Sequence, residues 1–246
     1  MDVSEYLRQA DAWAGKLNVD SAMGYYSAAL SLLERDKKWE AQFKVLLNIA
    51  DLYRLVGNTA LSREKVNEAG RLLSLRLDNN QLLLADLLHR KGLLLMDRGA
   101  FDSAVIVFEQ SLSNRTAVNG PNDTALALTY NGLGTIRFFQ SNFPAALTYY
   151  NKAIELASKK AHPEDADMSR FLQNVGIIYA QQGDYDKAGA AFEESMKIME
   201  NISHPDDPDL ANRYLNTGRF MALINRDNES IEYYDRAEKI LINVVS

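Results

Sequence analysis

Leu172-Gln173-Asn174-Val175-Gly176-Ile177-Ile178-Tyr179, followed by Gly183-Asp184-Tyr185-Asp186 and then by Ala188, Phe192 and Ser195, decides the fold. Leu172, Val175 and Tyr179, with the small Gly176 between them, fall at i, i+3, i+4 and i+7, which is one face of an α-helix. Gly183-Asp184 stops that helix, because glycine and aspartate favour the turn over its continuation. A second helix follows with Ala188, Phe192 and Ser195 along its inner side. The segment predicts two antiparallel helices joined by a tight turn.

The pattern recurs on both sides. Upstream it is carried by Tyr130, Leu133, Gly134, Ala146, Tyr150 and Ala153, and before that by Leu88, Gly92, Leu95, Gly99, Ala104, Phe108 and Ser111. Downstream it returns as Tyr214, Gly218, Ser230, Tyr234 and Ala237. The equivalent residues Gly92, Gly134, Gly176 and Gly218 are spaced by 42. One more step back lands on Ala50, flanked by Leu46, Ile49 and Tyr53, with Gly57 in the turn and Ala69 beyond it. A first unit, offset by 40, holds Ala10, Trp13, Ala22, Tyr26 and Ala29. Six hairpins near 3–36, 43–76, 85–118, 127–160, 169–202 and 211–244 therefore fill residues 1–246 as one array. Turns are expected near 57–58, 99–100, 141–143, 183–184 and 225–227, with no strand anywhere.

Each small residue has an expected mechanical role. Gly134 facing Ala146, and Gly176 facing Ala188, would let two helix backbones approach, with Tyr150 or Phe192 filling the space beside them. Asn142 before Pro144 reads as a helix cap with proline in the first turn. Every hairpin leaves an apolar face that only its neighbour can cover, so stability comes from contacts along the array.

Composition narrows the functions. The 246 residues carry 27 Lys and Arg against 33 Asp and Glu, a formal charge of -6. An acidic chain has no bulk attraction to nucleic acid or to an anionic membrane, so neither is an expected partner. There are no cysteines, which removes disulfides, thiolate catalysis and cysteine zinc sites together. Met1-Asp2-Val3-Ser4-Glu5 is not the start of a secretory signal, and no apolar run approaches the ~20 residues of a membrane span. The expectation is a soluble, cytoplasmic protein.

The order aromatic or leucine, Gly or Ala, Tyr, turn Gly, Ala, aromatic, Ala resembles the tetratricopeptide repeat, whose unit is usually ~34 residues. The longer unit, with His162-Pro163-Glu164-Asp165 and His204-Pro205-Asp206-Asp207-Pro208-Asp209 between hairpins, resembles the kinesin-light-chain type. The sequence departs from the pattern at Thr217 for leucine, Arg137 for tyrosine and Val66 for an aromatic. The resemblance implies an all-α, right-handed α-solenoid, a superhelix of six hairpins. It also implies a groove lined by the first helix of each hairpin, in which asparagines hold a peptide backbone.

No chemistry competes with that reading. His162 and His204 occupy equivalent turns a full repeat apart, with no third metal ligand suggested. Asn131-Gly132-Leu133-Gly134 contains a G-x-G inside a helical pattern, without the preceding strand that a dinucleotide site needs. The Asp206-Asp207 pair lies where a helix begins, and negative charge is favourable there. Tyr25-Tyr26, Tyr149-Tyr150 and Tyr233-Tyr234 share one repeat position and read as core. No nucleophile, base and orienting group can be assembled. The sequence predicts no catalytic residue, cofactor or metal.

The informative residues are those on the first helices that face away from the hairpin core. They are Arg170, Gln173, Asn174 and Ile177; Asn131, Thr135, Phe138 and Phe139; Asn212, Asn216 and Arg219; and, nearer the N-terminus, Asn48, Arg54, Arg90 and His89. In the last three hairpins these positions hold no Asp or Glu, whereas Asp11, Asp51, Asp86 and Asp97 interrupt the earlier ones. The expected function is a non-catalytic scaffold that grips a peptide segment of a partner, acidic in character. The alternative is a peptide-responsive sensor module of a larger signalling protein. The apolar run Ile240-Leu241-Ile242-Asn243-Val244-Val245 further suggests self-association or an additional domain at that end.

Overall fold

The structure, a computed structural model, describes residues 1–246 except 79, 161, 163, 164, 206 and 246, with the backbone alone at 243–245. Among the described residues there are twelve main helices and no strand. The chain divides into two compact units, Met1–Pro121 and Asn122–Ser246. The first holds α1 (Val3–Gly15), α2 (Val19–Arg35), α3 (Trp39–Leu55), α4 (Thr59–Arg76), α5 (Gln81–Asp97) and α6 (Phe101–Asn119). The second holds α7 (Leu126–Phe139), α8 (Phe143–Ala157), α9 (Ala166–Gln182), α10 (Tyr185–Ile202), α11 (Pro208–Leu223) and α12 (Asp227–Val245). Each odd-numbered helix pairs with the next to make a hairpin, and the hairpins within a unit stack on their neighbours. None of these helices is long and apolar enough to cross a membrane among the described residues.

The turns inside the hairpins follow one rule. Leu17, Gly57, Gly99, Ser141, Gly183 and Asn225 stand at equivalent places, and all six have positive φ, between 55° and 79°. Glycine takes that conformation without penalty, whereas a side chain costs roughly 1–2 kcal/mol. Leu17 and Ser141 therefore hold strained backbone that the surrounding hairpin must offset. Downstream caps are supplied by side chains: Asn58, Asn142, Asp165 and Asp184 each accept a backbone N–H three residues on. Pro144 sits in the first turn of α8.

The glycines do something other than bring backbones together. A Cβ built on Gly92 would lie 2.5 Å from the ring of Phe108, and one on Gly134 would lie 2.7 Å from the ring of Tyr150. The missing side chain makes room for the face of a ring on the paired helix, and only at Gly218 is partner backbone, Ser230 O at 3.3 Å, among the nearest atoms. Phe108 and Tyr150 are consequently buried to 0% and 2% exposure. Tyr234 at the same position on α12 is 37% exposed, so the tyrosine pairs are not uniformly core.

Where the second helix carries serine at an inner position, the hydroxyl finds a carbonyl on the first. Ser62 donates to Ala50 O, Ser111 to Ala85 O, Ser195 to Ser169 O and Ser230 to Gly218 O. On the first helix α11, by contrast, Thr217 is 2% exposed, and its hydroxyl has no partner among the described residues. A buried, unsatisfied hydroxyl costs about 1–3 kcal/mol. Thr217→Val keeps the shape and removes the hydroxyl, so it should raise the stability by about 1 kcal/mol in a urea titration. A loss of stability would show that the hydroxyl is satisfied in solution.

Candidate binding face

In the second unit α9 packs against both α7 and α11, so the first helices form a layer of their own. The polar residues on that layer bond to one another across repeats. Asn174 Nδ2 donates to Asn131 Oδ1 at 2.9 Å. Asn216 Nδ2 donates to Gln173 Oε1 at 3.0 Å, and Arg219 Nη1 to Asn216 Oδ1 at 3.2 Å. Thr135 donates its hydroxyl to the Asn131 carbonyl and accepts from the Tyr150 hydroxyl at 3.1 Å. Burial pushes the Tyr150 pKa up to about 12, so it remains a donor throughout the ordinary pH range. Asn131, Thr135, Asn174, Gln173, Asn216 and Arg219 are thus joined by hydrogen bonds within and between helices.

Two of the expected face residues point elsewhere. Gln173 is 3% exposed, wedged between α9 and α11 and donating to the Arg213 carbonyl. His89 is 7% exposed, with its ring centroid 5.6 Å from that of Phe108. Both were expected on the outer side of the first helix. The neighbouring first helix α11 covers Gln173, whereas the His89 ring turns onto Phe108 of its own partner helix α6. Ile177 is half-buried against Ala188, Phe192 and Phe220. Asn212 and Arg219 are exposed, while Asn174 and Asn216 are half-buried.

Arg213 was not anticipated. It occupies the repeat position of Val45, Leu87, Thr129 and Phe171, where the second to fifth hairpins bury a residue without charge. At 5% exposure its Nε donates to Ser169 Oγ and its Nη1 to Gln173 Oε1, both at 3.1 Å. Neither acceptor is charged. Burial pushes the guanidinium pKa down; Asp209 opposes this, and the like charge of Arg170 adds to it. Arg170 pairs with Asp167, lies over the Phe171 ring at 5.9 Å, and keeps a buried Nε without a hydrogen-bond partner. The count of acids at the face positions missed Asp167, one turn earlier on α9. The unbroken chain Arg219–Asn216–Gln173–Arg213–Ser169 links a surface cation to a buried one.

At the end of α7, Phe138 meets Phe139 edge-on at 5.8 Å and Phe143 at 5.9 Å. Phe139 is 60% exposed and presents an apolar surface beside the polar ladder.

The first unit has a different face. Arg90 pairs with Asp51 at 2.7 Å and Arg54 with Asp97 at 3.5 Å, two ion pairs joining α3 to α5. Arg115 pairs with Asp86, and Asp11 accepts the Tyr26 hydroxyl at 2.6 Å. Arg54 and Arg90 are therefore already neutralised by acids of the adjacent repeat, and Asn48 is exposed on α3. Among the described residues no group of three or more His, Asp or Glu is placed to hold a metal ion.

The tetratricopeptide repeat family matches residues 83–159 and 167–243. No curated protein matches the chain by sequence. Among solved structures the fold is similar to BtubC (BKLC) from P. vanneervenii, at 20% identity and a TM-score of 0.65, over 100% of this chain and 93% of that one. It is similar to the kinesin light chain TPR-like repeats of Podosopora anserina, at 12% identity and a TM-score of 0.57, over 82% and 96%. It is also similar to the Rap conjugation gene regulator of plasmid pLS20 in complex with the Phr* peptide. That match has 16% identity and a TM-score of 0.71, over 97% of this chain and 73% of the regulator.

Proposed function

The chain belongs to the tetratricopeptide repeat family, and on that premise we propose that it is a non-catalytic scaffold whose second unit holds a peptide segment with acidic side chains around an apolar anchor. The observation that carries this reading is the polar chain on α9 and α11. It includes two arginines, Arg213 and Arg219, that meet only neutral acceptors along it. A carboxylate brought to Asn216 and Arg219 would make charge-assisted bonds, the stronger class of hydrogen bond. Asn131 and Asn174 would exchange their mutual bond for bonds to peptide backbone, and Phe139 would cover an apolar side chain. The first unit, with its arginines already paired, contributes less charge.

The test is selection from a random peptide library, followed by affinity measurements on the selected peptides. Acidic residues flanking an apolar one should be enriched. Asn174→Ala and Asn216→Ala should weaken all selected peptides alike, because amides hold backbone. Arg170→Glu with Arg219→Glu should weaken acidic peptides by about ten-fold or more and flatten the salt dependence. Unchanged affinity in the quadruple variant would falsify the assignment of this face.

A second reading, a peptide-responsive sensor module, is favoured by the similarity to the peptide-bound Rap regulator. It adds to the scaffold reading that the ligand changes the protein's shape. Small-angle scattering with and without a selected peptide separates the two.

A further inference from the structure

We propose that the cleft between α4, α5 and α6 binds a small amphiphilic carboxylate, one anionic group on a short alkyl chain. The cleft encloses about 400 Å³, inside the ~300–1,000 Å³ range of small-ligand sites. Its walls include Leu94, Leu95 and Val107, and Leu94 is 8% exposed at the floor. Arg63, Lys91 and Arg98 stand around these apolar side chains, and no Asp or Glu lines the cleft. None of the three cations forms an ion pair or hydrogen bond with a described residue, in a chain whose net charge is -6.

That combination selects the ligand. An apolar floor alone would take any hydrocarbon. Three unopposed cations around it exclude a cationic ligand and reward an anion, since each brings charge-assisted donors to the mouth. Lys91 on α5 and Arg98, the residue that follows the helix, are seven residues apart, about 10 Å along the helix axis, with Leu94 and Leu95 between them. This is the span of a short alkyl chain with a charge-bearing end, rather than of an extended peptide. The cleft shares no residue with the face assigned to peptide, so either site can fail without the other.

The test is a ¹H–¹⁵N NMR titration of the full chain with octanoate, octanol, acetate and octylammonium. Octanoate should saturably shift amides within residues 59–67 and 91–107. Octanol and acetate should bind at least about ten-fold more weakly, and octylammonium should give no saturable shifts at these residues. Lys91→Glu with Arg98→Glu should weaken octanoate by about ten-fold or more. Val107→Trp, which fills the cleft, should abolish binding; should it fail to fold, the charge-reversal variant decides alone. Three results overturn the proposal: octanol binding as well as octanoate, octanoate affinity unchanged by the charge reversal, or shifts confined to other residues.

Discussion

Gly134→Val should destabilise the protein by about 3 kcal/mol, and Gly92→Val by as much, whereas Gly176→Ala should be neutral or slightly stabilising. The three glycines are equivalent in the repeat, so with alanine placed at each, which should cost about 1–2 kcal/mol at 92 and 134, the difference comes only from what each faces. Replacing a glycine inside a helix by alanine gains ~1 kcal/mol of helix propensity. At position 134 the added carbon would lie 2.7 Å from the Tyr150 ring, whose hydroxyl is held at Thr135. At position 92 it would lie 2.5 Å from the wholly buried Phe108 ring. Those rings have nowhere to go, and overpacking costs roughly 1–3 kcal/mol before the β-branch adds its own crowding. At position 176 the nearest ring atoms stand at 3.3 Å, and a shift of a few tenths of an ångström accommodates a methyl. Urea unfolding followed by circular dichroism gives the comparison. An equal response at all three positions would mean that the ring contact is not what keeps glycine there.

Arg213 should separate stability from binding. Its two bonds to neutral oxygens contribute about 1.5–3 kcal/mol each, while removing a charge from water costs several kcal/mol. The two nearly cancel. Its lowered pKa gives the sign: for a base, it means that the fold disfavours the charged form at every pH where the group is protonated. Arg213→Met retains most of the volume and drops the charge, and should leave stability within about 1 kcal/mol of the parent. Arg213→Ala leaves a void as well, and should lose about 2–4 kcal/mol. Binding of an acidic peptide should fall about ten-fold or more in the Met variant, because Gln173 and Asn216 lose the charge behind them. A Met variant that is several kcal/mol less stable and binds as before would make Arg213 a structural residue alone.

The hairpins were legible because each device that makes one is local and repeats. A turn residue, a cap, a small residue and a ring recur every 42 residues, and the turns near 57, 99, 141, 183 and 225 stand where the spacing put them. The face was only partly legible, because a helical wheel sees one helix at a time. A first helix inside a unit, such as α3 or α9, touches three surfaces: its own partner, the preceding hairpin and the following one. Gln173 lies on the side turned away from the partner helix but under α11, and His89 turns its ring onto Phe108 of its own partner helix α6. A signal was available, since Leu7, Leu47 and Leu215 in the same repeat column are apolar, although Asn131 is not. The same comparison down the column of Val45, Leu87, Thr129 and Phe171 would have singled out Arg213. Reading columns across repeats recovers the packing between helices, which reading along a single helix does not.

The cross-repeat bonds on the face join residues 40–44 positions apart. No partner in this ladder has to wait for a distant part of the chain. A ribosome adds ~5–20 residues per second, so one repeat emerges in a few seconds, whereas helices form in microseconds. A hairpin can therefore close while the next is still being made. Its ladder is completed as soon as that next first helix has left the exit tunnel. Within each unit the nascent chain then grows hairpin by hairpin, and the newest hairpin is the one whose apolar face awaits a cover.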